Sequence, residues 1–416
     1  MAQSDVSPSP RHYALSRASS GMAVDRPEFR LTAACCRWPR SDARDTAIRR
    51  AAACVTDWQG FRDIVQRQRV AGLVHYALSS AGIALPAPVG NELAADAARI
   101  VRQNLVLGAE TVRLHNLFAA ARIPVLVLKC VALAQIAYGS LGAKHARDID
   151  LLVPPDRAAA AMELLEHESY AWTSPAQRLG PAQRRALIQY GREAEFAHHG
   201  KNLLVELQWR VADNPLLLQG VGASSAGQEV RLSDGAVIRT LTDADLFAAL
   251  CVHGALHAWS RMKWLADLNA AIAASGTDVA RLYRHAQAIG AGLCAGQALL
   301  LCRELFALQL PPALKDEIHG DNRIKKLVAI ALAAMTAPQP VTDPERGIAS
   351  MARLAHAHFL LGRGWRFFAA QCCLMSVGSA DVIRRPLPRS VHFLYPLLRV
   401  PLLLWRRGRS VMRRRT

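Results

Sequence analysis

The chain has 416 residues, 51% hydrophobic and 20% charged, which describes an ordinary globular protein with room for two or three compact units. Its formal charge of +18 favours acidic partners: nucleotide phosphates, nucleic acid or anionic lipid. The arginines are scattered, and no basic patch is interleaved with aromatics as in a single-strand binder, so nucleic acid is not the favoured partner. Nine cysteines without a CxxC argue against a zinc ribbon or a disulfide framework, and point to reduced thiols in a cytoplasmic protein.

In chain order, residues 1–44 read as a disordered leader, whose first thirty residues lack the apolar core of a signal peptide. Asp45 to about Ala81 looks helical, with Ile64, Val65, Gln68, Leu73 and Tyr76 at helical spacing and Gly82 as the stop. A long helix is expected from Asn91 to Ala121, with Leu93, Ala97, Ile100, Leu107, Leu114 and Leu117 on its apolar face. "IPVLVLK" then reads as a short buried strand, "VALAQIAY" as a helix, and "GSLGAKHAR" as a flexible connection.

The strand "DIDLLV" that follows carries two aspartates, Asp148 and Asp150. In an extended chain Asp148, Asp150 and Leu152 share one face, with Ile149, Leu151 and Val153 on the other. Two like charges held side by side repel unless a cation lies between them, so the pair suggests a Mg²⁺-like site of hard oxygens. Pro155 opens a further helix, and a variable polar stretch begins near Ser169. "AEFAHHGKNLLVELQWRV" looks like a hairpin turning at His199-Gly200-Lys201. In its second strand Glu206 and Gln208 lie opposite the apolar face of Leu203, Val205, Leu207 and Trp209.

"AVIRTL" is a strand leading into a helix capped by Thr242 and Asp245, and the pattern stays helical to about residue 335. A linker-like break at 336–349 precedes a C-terminal helix and an arginine-rich tail. The apolar runs of that tail are interrupted by Pro396, Arg399 and Pro401, so none reaches the roughly 18 residues a spanning helix needs. The tail either packs on the body or touches a membrane surface peripherally.

These pieces place a strand ending in Lys129-Cys130, a strand with Asp148 and Asp150, and a third carboxylate, Glu206, within one small sheet. The arrangement is similar to the nucleotidyltransferase superfamily of DNA polymerase β type. More closely, the chain resembles the uncharacterised nucleotidyltransferases, whose members read "LKG", "R…DIDLLV", "ELHW" and a helical "H…H.W.…W..D". Here those elements are "LVLKC", "ARDIDLLV", "VELQW" and "CVHGALHAWSRMKWLADL", spread over roughly residues 45 to 310.

The resemblance implies an α+β fold: a small mixed β-sheet nucleotidyltransferase core (122–241) flanked by an N-terminal helical region (45–121) and a C-terminal helical domain (242–335), then linker, helix and basic tail (336–416). It implies Mg²⁺ or Mn²⁺ held by Asp148, Asp150 and Glu206 as catalytic ligands. It implies an NTP such as ATP as donor, contacted through Lys129, Cys130 and Arg147, and an acceptor that is a small molecule, a peptide or an RNA end. Family members often accompany surface-polysaccharide or peptide-natural-product pathways, which leans towards a metabolite or peptide acceptor. Gln208, His253, His257 and Asp267 are candidate substrate contacts.

Two residues depart from the family pattern. Cys130 stands at a glycine position, where only glycine lets backbone amides approach a phosphate freely; Gln208 stands where histidine is common. A catalytically weakened nucleotide-binding or partner-binding protein is the rival expectation, and a basic RNA- or membrane-surface binder a third.

Blander readings stand beside these. Glu206 could pair with Arg147 or Arg210, Arg147 with Asp150, and Lys129 could be a solvated strand-end charge. His253 and His257, four apart without an HExxH glutamate, could simply pack the helical domain. Trp259 and Trp264 read as core aromatics or base-stacking groups, and Lys263 with Asp267 as a helix-surface ion pair.

Overall fold

The computed structural model describes residues 23–232, 235–337, 348–377 and 382. The first 22 residues of the expected leader, most of the expected linker and nearly all of the basic tail lie outside them. The fold is α+β. Among the described residues, the sheet is preceded by α1 (Pro27–Cys35), α2 (Asp42–Ala52), α3 (Trp58–Gln68), α4 (Ala71–Ser80) and α5 (Ala87–Ala120). The leader expectation fails from Pro27 onward. Helix α1 is ordered because Phe29, Leu31, Ala33, Ala34 and Cys35 are all buried in the helical core.

The helical stretch expected over 45–81 is three helices. Ser41 and Asp57 start α2 and α3 by accepting hydrogen bonds from the Arg44 and Gly60 amides. Arg69 closes α3 in the left-handed region at φ +56, turning the chain into α4. Helix α5 buries Leu93, Ala97, Ile100, Leu107 and Leu114 as the apolar stripe requires; Leu117 is only half-buried, and Phe118 takes the core position beside it.

The sheet then builds from β1 (Leu126–Val127), α6 (Cys130–Tyr138), β2 (Ile149–Leu152), α7 (Ala158–His167), β3 (Ala171–Ser174), α8 (Pro181–Tyr190), β4 (Glu193–His198) and β5 (Leu203–Gln208). Its order is β1-β2-β5-β4-β3, with β2 and β5 parallel and the other pairs antiparallel. The hairpin β4–β5 turns at His199–Lys201. The polar stretch after Ser169 holds β3 and α8, whose short, mostly polar sequences carry little periodicity. The "GSLGAKHAR" connection is pinned, not loose: the Asn104 amide donates to the Lys144 carbonyl at 2.6 Å and also to that of Leu141.

A second, two-stranded sheet, β6 (Gly227–Arg231) with β7 (Val237–Leu241), precedes α9 (Asp243–Leu256), α10 (Met262–Ser275), α11 (Val279–Ala288), α12 (Gly292–Phe306), α13 (Pro312–Gly320) and α14 (Asn322–Thr336). Thr242 caps α9 through the Asp245 amide. Helices α15 (Ile348–Leu360) and α16 (Gly364–Ser376) follow.

Two apolar cores result. One unites α1–α4 with α9–α14, so the N-terminal and C-terminal helices form one helical body and not two separate ones. The other lies under the sheet and holds Ile149, Leu151, Val153, Leu203, Val205, Leu207 and Trp209. Leu152 belongs to the helical core. The opposite face of β2 and β5, with Asp150 and Glu206, is thereby turned toward the helices.

Candidate active site

Between sheet and helices lies a cavity of about 300 Å³. Lys129, Cys130, Asp148, Asp150, Glu206, Gln208, His253, His257 and Asp267 all line it, from five separate parts of the chain. Arg147 does not. It is exposed, and its charge falls near Arg69 and Arg261 instead; it precedes β2 and alternates away from the Asp148–Asp150 face.

The centre is a row of carboxylates across three strands. Asp150 is opposite Glu206 on the parallel pair, and Glu206 is opposite Glu195 on the antiparallel pair. Lys129 places its Nζ 2.8 Å from Asp150 Oδ1, and Gln208 Nε2 donates to Asp150 Oδ1 at 3.2 Å and Glu206 Oε2 at 3.3 Å. Lys129, not Arg147, is thus the partner of Asp150. Arg210 donates to the carbonyls of Ile188, Gln189 and Gly191, so neither arginine neutralises Glu206.

The electrostatics follow from this geometry. Burial pushes the Asp150 carboxyl up, but the Lys129 ammonium beside it outweighs burial and holds its pKa below the usual value. Glu206 has no such partner. Burial, then the Asp150 charge, raise its pKa to about 9, so it carries a proton at neutral pH in this state. Glu195 is raised too, by burial and then by Glu193 and Asp148.

Crowded hard oxygens on one face, one of them protonated for want of a counter-charge, are the donor chemistry of a divalent-cation site. Asp148, Asp150 and Glu206 supply oxygen donors of the kind such an ion takes. Among the described residues, however, no three His, Cys, Asp or Glu side chains are gathered as a ready-made metal cage. Asp150 Oδ1 is already engaged by Lys129 and Gln208.

Cys130 begins α6 with φ +51, in the left-handed region that favours glycine. A turn that needs this conformation, followed directly by a helix N-terminus, is a recurrent way of presenting amides to an anion. The thiol itself is buried, and its pKa is pushed up to about 12 by burial and then by Asp150 and Asp148, so it is a neutral, unreactive group.

On the helical side, His257 stacks on Trp264 with ring centroids 4.9 Å apart, and His253 meets both rings edge-on at 4.6 Å and 5.5 Å. Burial, reinforced by Lys129, keeps both imidazoles neutral; His257 falls to about 3. Trp259 is fully buried against Gly254, where any Cβ would collide with its ring, and so is a core residue. The Lys263–Asp267 surface pair does not form. Asp267 is buried and accepts from Lys144 Nζ at 2.6 Å and the Tyr138 hydroxyl at 2.9 Å, which ties α10 to α6 and to the connection after it. Its carboxylate is satisfied by those two donors, so the structure gives it a tethering role on the cavity wall, not that of a free substrate contact.

Six further titratable lining residues escaped the sequence reading: Arg69, Lys144, His145, Arg192, Glu193 and Glu195. Glu193 and Glu195 were visible in principle, since "REAEF" repeats the alternation of "DID" on the strand paired to β5. The others sit at a helix cap and in connections, where no periodicity marks them.

Among curated proteins none matches the chain. Residues 55–307, however, match the family described as uncharacterised nucleotidyltransferase, a span that takes in α3 through α12 and every residue lining the cavity. The chain belongs to the uncharacterised nucleotidyltransferase family.

Proposed function

We propose that the protein transfers a nucleotide from an NTP to a hydroxyl or phosphate of an acceptor, releasing pyrophosphate, with Mg²⁺ or Mn²⁺ held by Asp148, Asp150 and Glu206. The observation that carries this reading is the register of Asp150 against Glu206 on adjacent parallel strands, beside the left-handed turn at Cys130. Divalent cations, when bound, lower the pKa of the attacking hydroxyl and offset charge on the leaving pyrophosphate.

The protein's own groups would do the rest. Lys129 compensates Asp150 and lies where it can turn to a phosphate oxygen. Gln208 holds the Asp150 and Glu206 carboxylates in fixed orientation. The amides at the start of α6 receive the triphosphate. Neutral His253 and His257, stacked with Trp264, give the acceptor side of the cavity a flat, largely apolar wall that excludes water.

A second reading, nucleotide binding without turnover, is favoured by one feature: a cysteine in the backbone conformation that glycine suits best. The test separates the two. Purified protein is incubated with each labelled NTP and Mg²⁺ or Mn²⁺, and pyrophosphate and a nucleotidylated product are measured. Metal-dependent pyrophosphate release with one NTP supports transfer. Binding of an NTP with no release across plausible acceptors supports the second reading and overturns the first.

A further inference from the structure

The cavity carries opposite charges that face each other without pairing. Lys129 is paired with Asp150, Lys144 with Asp267, and Arg192 with Glu193 and Asp213. Arg69 and Lys263 also line the cavity, yet neither side chain makes a salt bridge or hydrogen bond to another described residue. Lys263 sits over the Trp264 ring, its Nζ 5.9 Å from the centroid. Asp148 is near enough to influence both cations electrostatically, but does not contact them.

Such a layout is unfavourable unless something bridges it. Partly buried cations beside one another repel: Lys263 feels Lys144 and Arg69, and Arg69 feels Arg261 and Arg147. Burial with that repulsion lowers Lys263 to about 7 and Arg69 to about 10. The carboxylate that could have relieved Lys263 one turn away, Asp267, is taken by Lys144 and Tyr138. His145, from the connection before β2, also lines the cavity; burial and these cations keep it neutral, so it can offer a hydrogen bond without adding charge.

We propose that Arg69 and Lys263, with His145 lining the same cavity, form a receptor for an oxyanion, a phosphate or carboxylate group, carried by the acceptor substrate. The assignment rests on the transfer reading above and narrows it: the acceptor is an anionic molecule. Three features favour the acceptor over the donor's triphosphate. The triphosphate already has the Cys130 turn and Lys129; Arg69 and Lys263 come from the helical body (the end of α3 and the first turn of α10); and Lys263 adjoins the His257–Trp264 stack, which can cover the body of an acceptor.

The experiment uses the full chain, with inorganic phosphate as the probe and thermal unfolding as the readout, with and without saturating non-hydrolysable NTP analogue and Mg²⁺. Wild-type protein is expected to gain melting temperature with phosphate even when the analogue is saturating. Lys263→Met and Arg69→Met should each abolish that gain while leaving the dissociation constant of the analogue within about twofold. Lys263→Met should also raise the ligand-free melting temperature, since it removes a repelled cation; a purely structural lysine would do the opposite. A phosphate response that is absent in wild type, or that survives in both variants, overturns the proposal. So does a loss of roughly tenfold or more in analogue affinity, which would give these cations to the donor triphosphate. If instead wild type responds to phosphate but never binds the analogue, the transfer reading falls and the oxyanion site stands.

Discussion

At the scale of single residues, the carboxylate row makes contrasting predictions for chemically similar changes. Glu206 is protonated at neutral pH in the metal-free protein, so Glu206→Gln replaces one neutral hydrogen-bonding group by another. Its stability should stay within about 1 kcal/mol of wild type, while pyrophosphate release falls at least roughly a hundredfold. Asp150→Asn should abolish release as well, yet it leaves the Lys129 ammonium without its ion pair and should cost about 2 kcal/mol in urea unfolding. Equal stability loss in the two variants would contradict the assigned protonation states. Cys130→Gly relieves a left-handed L-residue, worth about 1–2 kcal/mol, and offsets that with a freer unfolded chain and a lost buried thiol. The two sides cancel to within about 1 kcal/mol, and titration with NTP should show tighter binding. Weaker binding would mean that the turn does not hold phosphate.

At the scale of elements, the sheet is tied to α5 by Glu110, which accepts from the Tyr170 hydroxyl at 2.7 Å, Lys201 Nζ at 3.0 Å and Arg113. Burial opposes the charge, but these three donors win and bring Glu110 down to about 2. A depressed carboxylate adds stability that is complete above the unfolded pKa near 4.5 and is lost as pH falls toward about 2. Glu110→Gln should therefore cost about 1–2 kcal/mol at pH 7 and flatten the acid limb of the stability curve between those values. An unchanged acid limb would show that the clamp contributes nothing. Legibility at this scale depended on periodicity. Strands β2 and β5 and helix α5 declared their buried faces through alternation of two or near four. Strand β3 and helix α8 did not, being short and half-exposed. Arg69 and Lys263 were invisible as site residues, because a helix cap and a first turn reach the cavity only through tertiary packing.

At the scale of the molecule, two cores meet along a single polar seam, and the cavity is that seam. No helix among the described residues is long and apolar enough to cross a membrane. The first core begins at Phe29, well inside a region whose composition alone looked like a leader; a nine-residue helix has too little sequence to announce its burial. Each large side chain of α1 contributes about 1.5–3 kcal/mol by burial, so deleting residues 1–41 removes a large part of a typical folding free energy. The truncated chain should lose its cooperative thermal transition; retention of wild-type melting would contradict the shared helical core. The proposed transfer requires the carboxylate row to act as a metal-dependent nucleotide site. Calorimetric binding of a non-hydrolysable NTP analogue, with Mn²⁺ and with chelator, in wild type and in Asp148→Asn, Asp150→Asn and Glu206→Gln, tests it most directly. Tight binding is expected in wild type only with Mn²⁺, with loss of that metal dependence in all three variants. Equal affinity with and without metal, or variants that bind as wild type does, would contradict it.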